Sequence, residues 1–148
     1  LAMIIGRQMS HEDESTALSG VAAWTVLNDV TARDIQRVEK GRFSRAKGFD
    51  TFCPISDERM VDLDWSTSRI QCYVDGKKRQ DGALADLLFS PAHVLADISR
   101  CMTLMPGDIV SLGTPAGVGS LREGQRVEVR LVDDKGRTLM RVENPVVR

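Results

Sequence analysis

Two short polar segments, residues 28–36 and 47–54, bring several kinds of hydrogen-bonding side chain close together in sequence. They hold a carboxylate, two cations, an amide and a hydroxyl. The residues concerned are Asp29, Arg33, Gln36, Lys47 and Thr51. Groups of these types can bind a cation, hold a carboxylate and stabilise a developing negative charge. The pattern predicts half of a catalytic site.

Asp29 follows an apolar run, at the point where side chains leave a predicted strand. An aspartate in that position commonly caps a helix or forms an ion pair. The alternative is a carboxylate ligand for Mg²⁺ or Mn²⁺, which requires one or two further carboxylates. The residue pattern alone leaves both interpretations open.

Arg33 and Gln36 are three residues apart, so on a helix they share one face. That face is either solvated or able to hold a carboxylate and a carbonyl oxygen of a small substrate. Lys47 is predicted in a loop, where a lysine is ordinarily solvated, although it could also stabilise an oxyanion or enolate. Thr51 is either a plain turn hydroxyl or a ligand in the water shell of a cation.

A glycine-rich loop, residues 113–119, follows another predicted strand. It lacks the Lys-Ser/Thr ending of a phosphate-binding loop and the spacing of a dinucleotide-binding motif, so no nucleotide is implied. Its backbone N–H groups and the Thr114 hydroxyl could hold a carboxylate instead.

Nucleophilic catalysis has little support in this sequence. No Gly-x-Ser-x-Gly motif occurs. Cys53 has no histidine close in sequence, and we predict that it packs in the interior. His11 and His93 have no evident partner and are predicted to be structural or exposed.

Composition narrows the class of protein. The chain has 148 residues, 42% of them hydrophobic, and a formal net charge of -1, which fits one ordinary globular domain. That charge favours neither nucleic acid nor an anionic membrane as a partner. Three separated cysteines without a Cys-x-x-Cys motif indicate a reducing compartment, and two histidines make a multi-histidine metal site unexpected.

The hydrophobic pattern predicts a mainly β, α+β domain over residues 1–148 with three short helices, and an N-terminal part that is incomplete. The predicted strands are residues 1–5, 21–30, 69–74, 77–80, 109–112, 125–132 and 137–142, with turns at Asp75-Gly76 and at residues 133–136. The predicted helices run from Ser10 to Leu18, from Ala32 to Lys40 and from Pro91 to Met102, the second capped by Thr31 and ended by Gly41. Residues 42–54 are predicted to be a structured loop.

Taken together, these motifs resemble the fumarylacetoacetate hydrolase family over nearly the whole chain. The matching segments are residues 1–6, Asn28-Asp29, residues 32–36, Lys47 with residues 49–51, residues 80–82, residues 102–108 and residues 113–119. Several separate motifs in the same order make the resemblance specific. It implies a β-sandwich roll with a few helices and a homodimer.

The resemblance also implies roles for the site residues. Family members bind Mg²⁺, Mn²⁺ or Ca²⁺ through three carboxylates, and Asp29 resembles the aspartate of that set. The other two carboxylates, a Glu-x-Glu pair, and a His-Glu dyad are expected before Leu1. Lys47 resembles the lysine that stabilises the enolate or oxyanion, and Thr51 the residue beside the cation. The residues that resemble substrate contacts are Arg33, Gln36 and Thr114.

The function implied is a divalent-metal-dependent hydrolase of C–C bonds in small 2-oxo or β-diketo acids, of acylpyruvate or fumarylpyruvate type. One alternative is an isomerase or decarboxylase of 2-hydroxy-diene-dioates or oxaloacetate. Another is that this stretch alone only binds a small molecule and turns nothing over. The expected location is the cytoplasm.

Overall fold

The computed structural model describes residues 1–40 and 42–147 as two antiparallel sheets with short helices. The strands are β1 (Ala2–Ile5), β2 (Val21–Thr25), β3 (Arg69–Val74), β4 (Lys77–Ala83), β5 (Ile109–Ser111), β6 (Arg126–Val132) and β7 (Thr138–Pro145). The helices are α1 (Glu14–Ala17), α2 (Arg33–Val38), α3 (Phe43–Lys47) and α4 (Pro91–Cys101). One sheet has the order β2-β1-β5 and the other the order β4-β3-β6-β7. The α+β prediction is confirmed.

One hydrophobic core joins both sheets to α4. On β6, Val127, Val129 and Leu131 are 4%, 6% and 0% exposed, as the alternation of apolar residues predicts for one face of a strand. Met3 of β1 and Leu95 of α4 are completely buried in the same core. None of the helices in the described part of the chain combines the length and hydropathy that crossing a bilayer requires.

The β3–β4 hairpin forms because its turn suits the twist of its strands. Asp75 and Gly76 have φ angles of 50° and 73°, and two positive values are what a type I′ turn requires. The Asp75 carboxylate also accepts a hydrogen bond from the Arg126 backbone N–H, at 2.9 Å, which ties the turn to β6. The predicted hairpin is confirmed, and β4 extends beyond the predicted residue 80 to Ala83.

The β6–β7 hairpin is also confirmed. Asp133 closes its turn, because one carboxylate oxygen accepts hydrogen bonds from the backbone N–H groups of Lys135 and Arg137 at 3.0 and 2.8 Å. Gly136 supplies the positive φ of 76° in this turn. Strand β7 is longer than predicted and runs to Pro145.

Helix α4 begins at Pro91, as predicted. The Ser90 hydroxyl caps it by accepting a hydrogen bond from the His93 backbone N–H at 3.1 Å. The helix ends at Cys101, and Met102 is its C-terminal cap.

The prediction of a strand over residues 21–30 is wrong in its second half. Strand β2 ends at Thr25, which pairs with Ala2 at the end of the β1–β2 ladder. Beyond that point the chain pairs with residues 54–56 outside the sheet, through a bridge between Leu27 and Ile55 and hydrogen bonds from Ser56 N–H to the Val26 carbonyl at 2.9 Å and from Asn28 N–H to the Pro54 carbonyl at 3.0 Å. Asp29 therefore lies in a loop, directly after the residues that pair with Pro54 and Ile55, and not at the end of a long strand.

The predicted helix from Ser10 to Leu18 is also too long. Helix α1 spans only Glu14–Ala17, and a 3₁₀ turn follows. The Ser10 hydroxyl is not a cap, because it is hydrogen-bonded to Nδ1 of His11 at 3.0 Å. His11 itself has a φ of 53°, which excludes a helix at that position.

Residues 32–47 contain two helices where one was predicted. Helix α2 is shorter than residues 32–40, and its cap is Ala32, because the Thr31 hydroxyl donates to the Asp29 carbonyl at 3.1 Å instead. The predicted loop contains α3, which was missed. A single turn has no periodicity to recognise, and α3 is held by tertiary contacts instead. The predicted helix end at Gly41 lies outside the described residues.

Candidate active site

Helix α3 presents Lys47 to Asp29. The Ala32 N–H donates to the Ala46 carbonyl at 2.9 Å, which fixes the start of α2 against the end of α3. Ala46 is fully buried, so the helix has a defined orientation. Lys47, the last residue of α3, then forms an ion pair with the Asp29 carboxylate. The sequence prediction of a loop lysine is wrong in its local structure, yet the two predicted site residues do meet.

The Asp29–Lys47 pair is open to solvent. The two side chains are 41% and 35% exposed, respectively. At such exposure solvent screens the attraction, and we expect the pair to add little to the free energy of unfolding. Its effect is positional, because it places an ammonium group beside a carboxylate at an accessible site.

Arg33 and Gln36 lie together on α2, as their spacing predicts. Arg33 Nη1 donates to Gln36 Oε1 at 2.9 Å. A guanidinium group can only donate, so this contact turns the Gln36 amide nitrogen away from Arg33. Within residues 1–40 and 42–147, the other N–H groups of Arg33 and the NH₂ of Gln36 make no side-chain hydrogen bond and can donate to acceptor oxygens of a ligand.

The glycine-rich loop, residues 113–119, brings Thr114 to the same region. Gln80 of β4 donates from Nε2 to Thr114 Oγ1 at 2.8 Å and to the Pro115 carbonyl at 2.7 Å. Gln80 has no role in the sequence-based site, although it belongs to one of the family-like motifs. The contact that connects Gln80 with the site is its hydrogen bond to Thr114, and a contact between residues 34 positions apart leaves no local sequence pattern.

The loop sits directly on β4, and glycine is required where it does so. A Cβ on Gly82 would lie 2.7 Å from the Pro115 side chain. Gly117 has a φ of +101°, and a Cβ there would overlap the Arg79 carbonyl oxygen. The backbone of the loop can therefore approach β4 closely only because these two side chains are absent.

We expect Gly117→Ala to lower the free energy of unfolding by about 1–3 kcal/mol, through backbone strain and overlap with Arg79. Urea denaturation followed by circular dichroism measures the change. Gly119→Ala is the matched control, because a Cβ there meets no atom within 4 Å. Equal stability of the two variants would contradict the packing described for the loop.

These groups converge on one cavity of about 920 Å³. Its polar wall includes Asp29, Arg33, Gln36, Gln80 and Thr114. Its apolar wall is part of the inner face of the four-stranded sheet, with Cys72, Val74, Val127 and Val129. Lys47 and Thr51 are not among the lining residues, and Lys47 reaches the cavity edge through its ion pair with Asp29. A cavity of this volume and mixed lining suits a small organic acid.

The loop that carries Thr51 and Cys53 is in an uncommon conformation. Thr51 and Cys53 have φ values of 68° and 58°, and the Phe49 and Phe52 rings pack at 5.3 Å between centroids. Among the described residues the Thr51 side chain makes no hydrogen bond, and its position beside a cation stays a prediction.

The prediction that Cys53 is buried is wrong, because its side chain is exposed. Partial burial nevertheless raises the pKa of the thiol, the Asp29 carboxylate raises it further, and Lys47 opposes this. The thiol is therefore protonated at neutral pH, and the structure gives no support for a cysteine nucleophile.

His93 has partners that the sequence did not indicate. Its Nδ1 lies 2.7 Å from Oε1 of Glu14, and its ring stacks on Phe89 with centroids 4.9 Å apart. The Glu14 contact joins α4 to α1, and none of the three residues lines the cavity. His93 is therefore structural in this chain.

A divalent cation is not held by the described residues alone. No group of three or more His, Cys, Asp or Glu side chains with metal-binding geometry occurs within residues 1–40 and 42–147. Asp29 and Asp34 both line the cavity, and the Asp29 carboxylate is paired with Lys47. A carboxylate that is already paired with an ammonium group is a poor sole anchor for Mg²⁺, which ordinarily binds one or two free carboxylates and several waters.

Comparison with known proteins identifies the family. The family description "Fumarylacetoacetate (FAA) hydrolase C-terminal" matches residues 1–147. The chain belongs to the fumarylacetoacetate hydrolase family, as its motifs predict. The predicted α+β fold of this family is confirmed, and the structure builds it from two antiparallel sheets with short helices.

Individual relatives agree with this assignment. An uncharacterised protein of Methanocaldococcus jannaschii is 40% identical over 131 residues, which are 88% of this chain and 55% of that protein. A 5-carboxymethyl-2-hydroxymuconate delta-isomerase from Mycobacterium smegmatis has a TM-score of 0.91 and 37% identity, covering 99% of this chain and 56% of that one. A fumarylacetoacetate hydrolase from Exiguobacterium antarcticum has a TM-score of 0.89 and 32% identity, covering 99% and 54%. This chain thus spans about half the length of the proteins that it matches.

Proposed function

We propose that the protein containing this chain is a divalent-metal-dependent hydrolase of C–C bonds in small 2-oxo or β-diketo acids. The observation that carries the proposal is the convergence of Asp29, Arg33, Gln36 and Thr114 on one cavity. Lys47 is joined to that cavity by its ion pair. Three separate parts of the sequence thus supply groups that suit one small anion, in a family that includes hydrolases and isomerases.

The polar wall matches the oxygens of a 2-oxo acid. Arg33 offers its remaining N–H groups to the carboxylate, and charge-assisted hydrogen bonds of this kind are the strong ones. The Gln36 NH₂ points away from Arg33 and suits a carbonyl oxygen, as does the Thr114 hydroxyl. The apolar wall opposite would take the carbon chain of the substrate and exclude water from it.

Lys47 would stabilise the charge that forms during the reaction. Cleavage next to a keto group leaves an enolate, whose negative charge lies on oxygen. An ammonium group that is already in place lowers the barrier without reorganisation during the step. Asp29 holds this ammonium by the ion pair, so the Lys47 ammonium stays at the edge of the cavity when no substrate is bound.

We further propose that Asp29 contributes to a site for Mg²⁺, Mn²⁺ or Ca²⁺ whose remaining ligands lie outside the described residues. The support is the exposed carboxylate at the cavity wall together with the family resemblance. Such a cation would act as a Lewis acid toward the oxygens of a 2-oxo acid.

An isomerase acting on a 2-hydroxy-diene-dioate is the second candidate. The Mycobacterium smegmatis isomerase is 37% identical to this chain, whereas the Exiguobacterium antarcticum hydrolase is 32% identical. Both reactions pass through an enolate or dienolate, so the same arginine, lysine and threonine serve either one.

Product analysis tests the two candidates. The complete protein is incubated with Mg²⁺ and an acylpyruvate, and separately with a 2-hydroxy-diene-dioate, and products are identified by NMR. We expect pyruvate and a second acid from the acylpyruvate. Conversion of the 2-hydroxy-diene-dioate to an isomer with the same number of carbon atoms would support the isomerase instead. Release of CO₂ would support a decarboxylase. Failure to convert either substrate would contradict the proposal.

A further inference from the structure

The amide of Gln80 has a chemically defined orientation. One of its two neighbours is the Pro115 carbonyl oxygen, at 2.7 Å, which can only accept a hydrogen bond. The amide atom facing that carbonyl must therefore be nitrogen. The second hydrogen of the same NH₂ then points to Thr114 Oγ1, at 2.8 Å.

This orientation determines what the Thr114 hydroxyl can do. A hydroxyl group has one hydrogen to donate, and here its oxygen accepts from Gln80. Its own hydrogen is left for another acceptor, and among the described residues none accepts from it. Because Thr114 is exposed and lines the cavity, the hydroxyl is directed as a donor toward whatever occupies the cavity.

The position of the loop does not depend on this amide alone. Gly82 packs against the Pro115 ring, and Gly117 packs against the Arg79 carbonyl, so close contact with β4 is also made by atoms other than those of Gln80. Loss of the Gln80 hydrogen bonds should therefore free the Thr114 hydroxyl to rotate while the loop stays in place.

We infer that Gln80 is a positioning residue that keeps the Thr114 hydroxyl as a hydrogen-bond donor into the cavity. The site thereby selects a ligand with an acceptor oxygen, a carboxylate or a carbonyl, at that point. A ligand with a hydroxyl donor there would lose the match. This role rests on the proposed function, since it is exercised on the bound 2-oxo acid.

The test uses Gln80→Met in the complete protein, because methionine keeps the length of the side chain but neither donates nor carries a charge. We expect KM for the 2-oxo acid to rise about 10-fold with kcat within about twofold of wild type, as for the loss of one hydrogen bond used equally in the ground and transition states. Gln125→Met is the matched control. Gln125 is also half-buried and held by two hydrogen bonds, to Asp75 and Arg122, and it does not line the cavity.

A double-mutant cycle separates positioning from general support of the loop. In a Thr114→Ala background we expect Gln80→Met to change KM by less than about twofold, because the hydroxyl that it orients is absent. An equal rise in KM with and without Thr114, or a fall in kcat accompanied by a lower thermal midpoint, would overturn the positioning role. An unchanged KM in Gln80→Met would overturn the positioning role and leave the proposed function standing. A wild-type protein that neither binds nor converts any 2-oxo acid would overturn the proposed function as well.

Discussion

Lys47→Met is expected to lower kcat for a 2-oxo acid about 100-fold, with a smaller change in KM. The loss corresponds to about 3 kcal/mol, the usual effect of removing one preorganised donor from a developing oxyanion. KM is less affected because the ammonium acts on charge that appears in the transition state, whereas Arg33 would hold the substrate carboxylate. Steady-state kinetics on the complete protein measures both constants.

Arg45→Met is the control for Lys47. Arg45 lies on the same short helix, α3, but pairs with Glu39 at 2.7 Å and is 70% exposed. Its removal should leave kcat within about twofold of wild type. If Lys47→Met behaves like Arg45→Met, the ion pair with Asp29 is a surface contact and Lys47 has no part in catalysis.

Asp29→Asn is expected to remove measurable Mn²⁺ binding and to lower kcat/KM by more than about 100-fold. Asparagine keeps the shape of the side chain but removes the negative charge, which both a cation and Lys47 require. Calorimetric titration with Mn²⁺ gives the binding result independently of turnover. The same titration on the 148-residue chain alone should show weak binding, because its described residues include no group of three or more His, Cys, Asp or Glu side chains that could hold a metal ion.

Asp34→Asn is the corresponding control. Asp34 also lines the cavity, and it lies in the first turn of α2. We expect it to bind Mn²⁺ as the wild type does. Unchanged Mn²⁺ affinity in Asp29→Asn would remove Asp29 from the metal site, and unchanged turnover would remove it from the reaction.

The parts of the fold that sequence predicts well are those that short segments determine. The turn at Asp75-Gly76 and the capped start of α4 at Ser90-Pro91 are set by the conformational preferences of neighbouring residues. Helix α3 is different, because its five residues are ordered by a buried Ala46 and a backbone contact from Ala32. Those contacts belong to the tertiary structure, and no local pattern contains them.

The same distinction holds for the site. The family-like motifs identify Asp29, Arg33, Gln36 and Thr114, and the structure brings these four to one cavity. Gln80 was not assigned to the site from sequence, because its contact with Thr114 depends on the register of β4 against a distant loop. The place of Thr51 beside a cation, the homodimer and the cytoplasmic location stay predictions.

Two parts of the polar wall differ in how firmly the rest of the molecule holds them. Helix α2, which carries Arg33 and Gln36, has no buried residue, whereas Thr114 is bound to a strand of the four-stranded sheet. Segments with little buried surface open locally at a lower free energy than the core. Amide hydrogens of α2 should therefore exchange faster than those of β3 and β6. A ligand that contacts both α2 and Thr114 would slow amide exchange mainly in α2, so the exchange protection of this one short helix would report occupancy of the site.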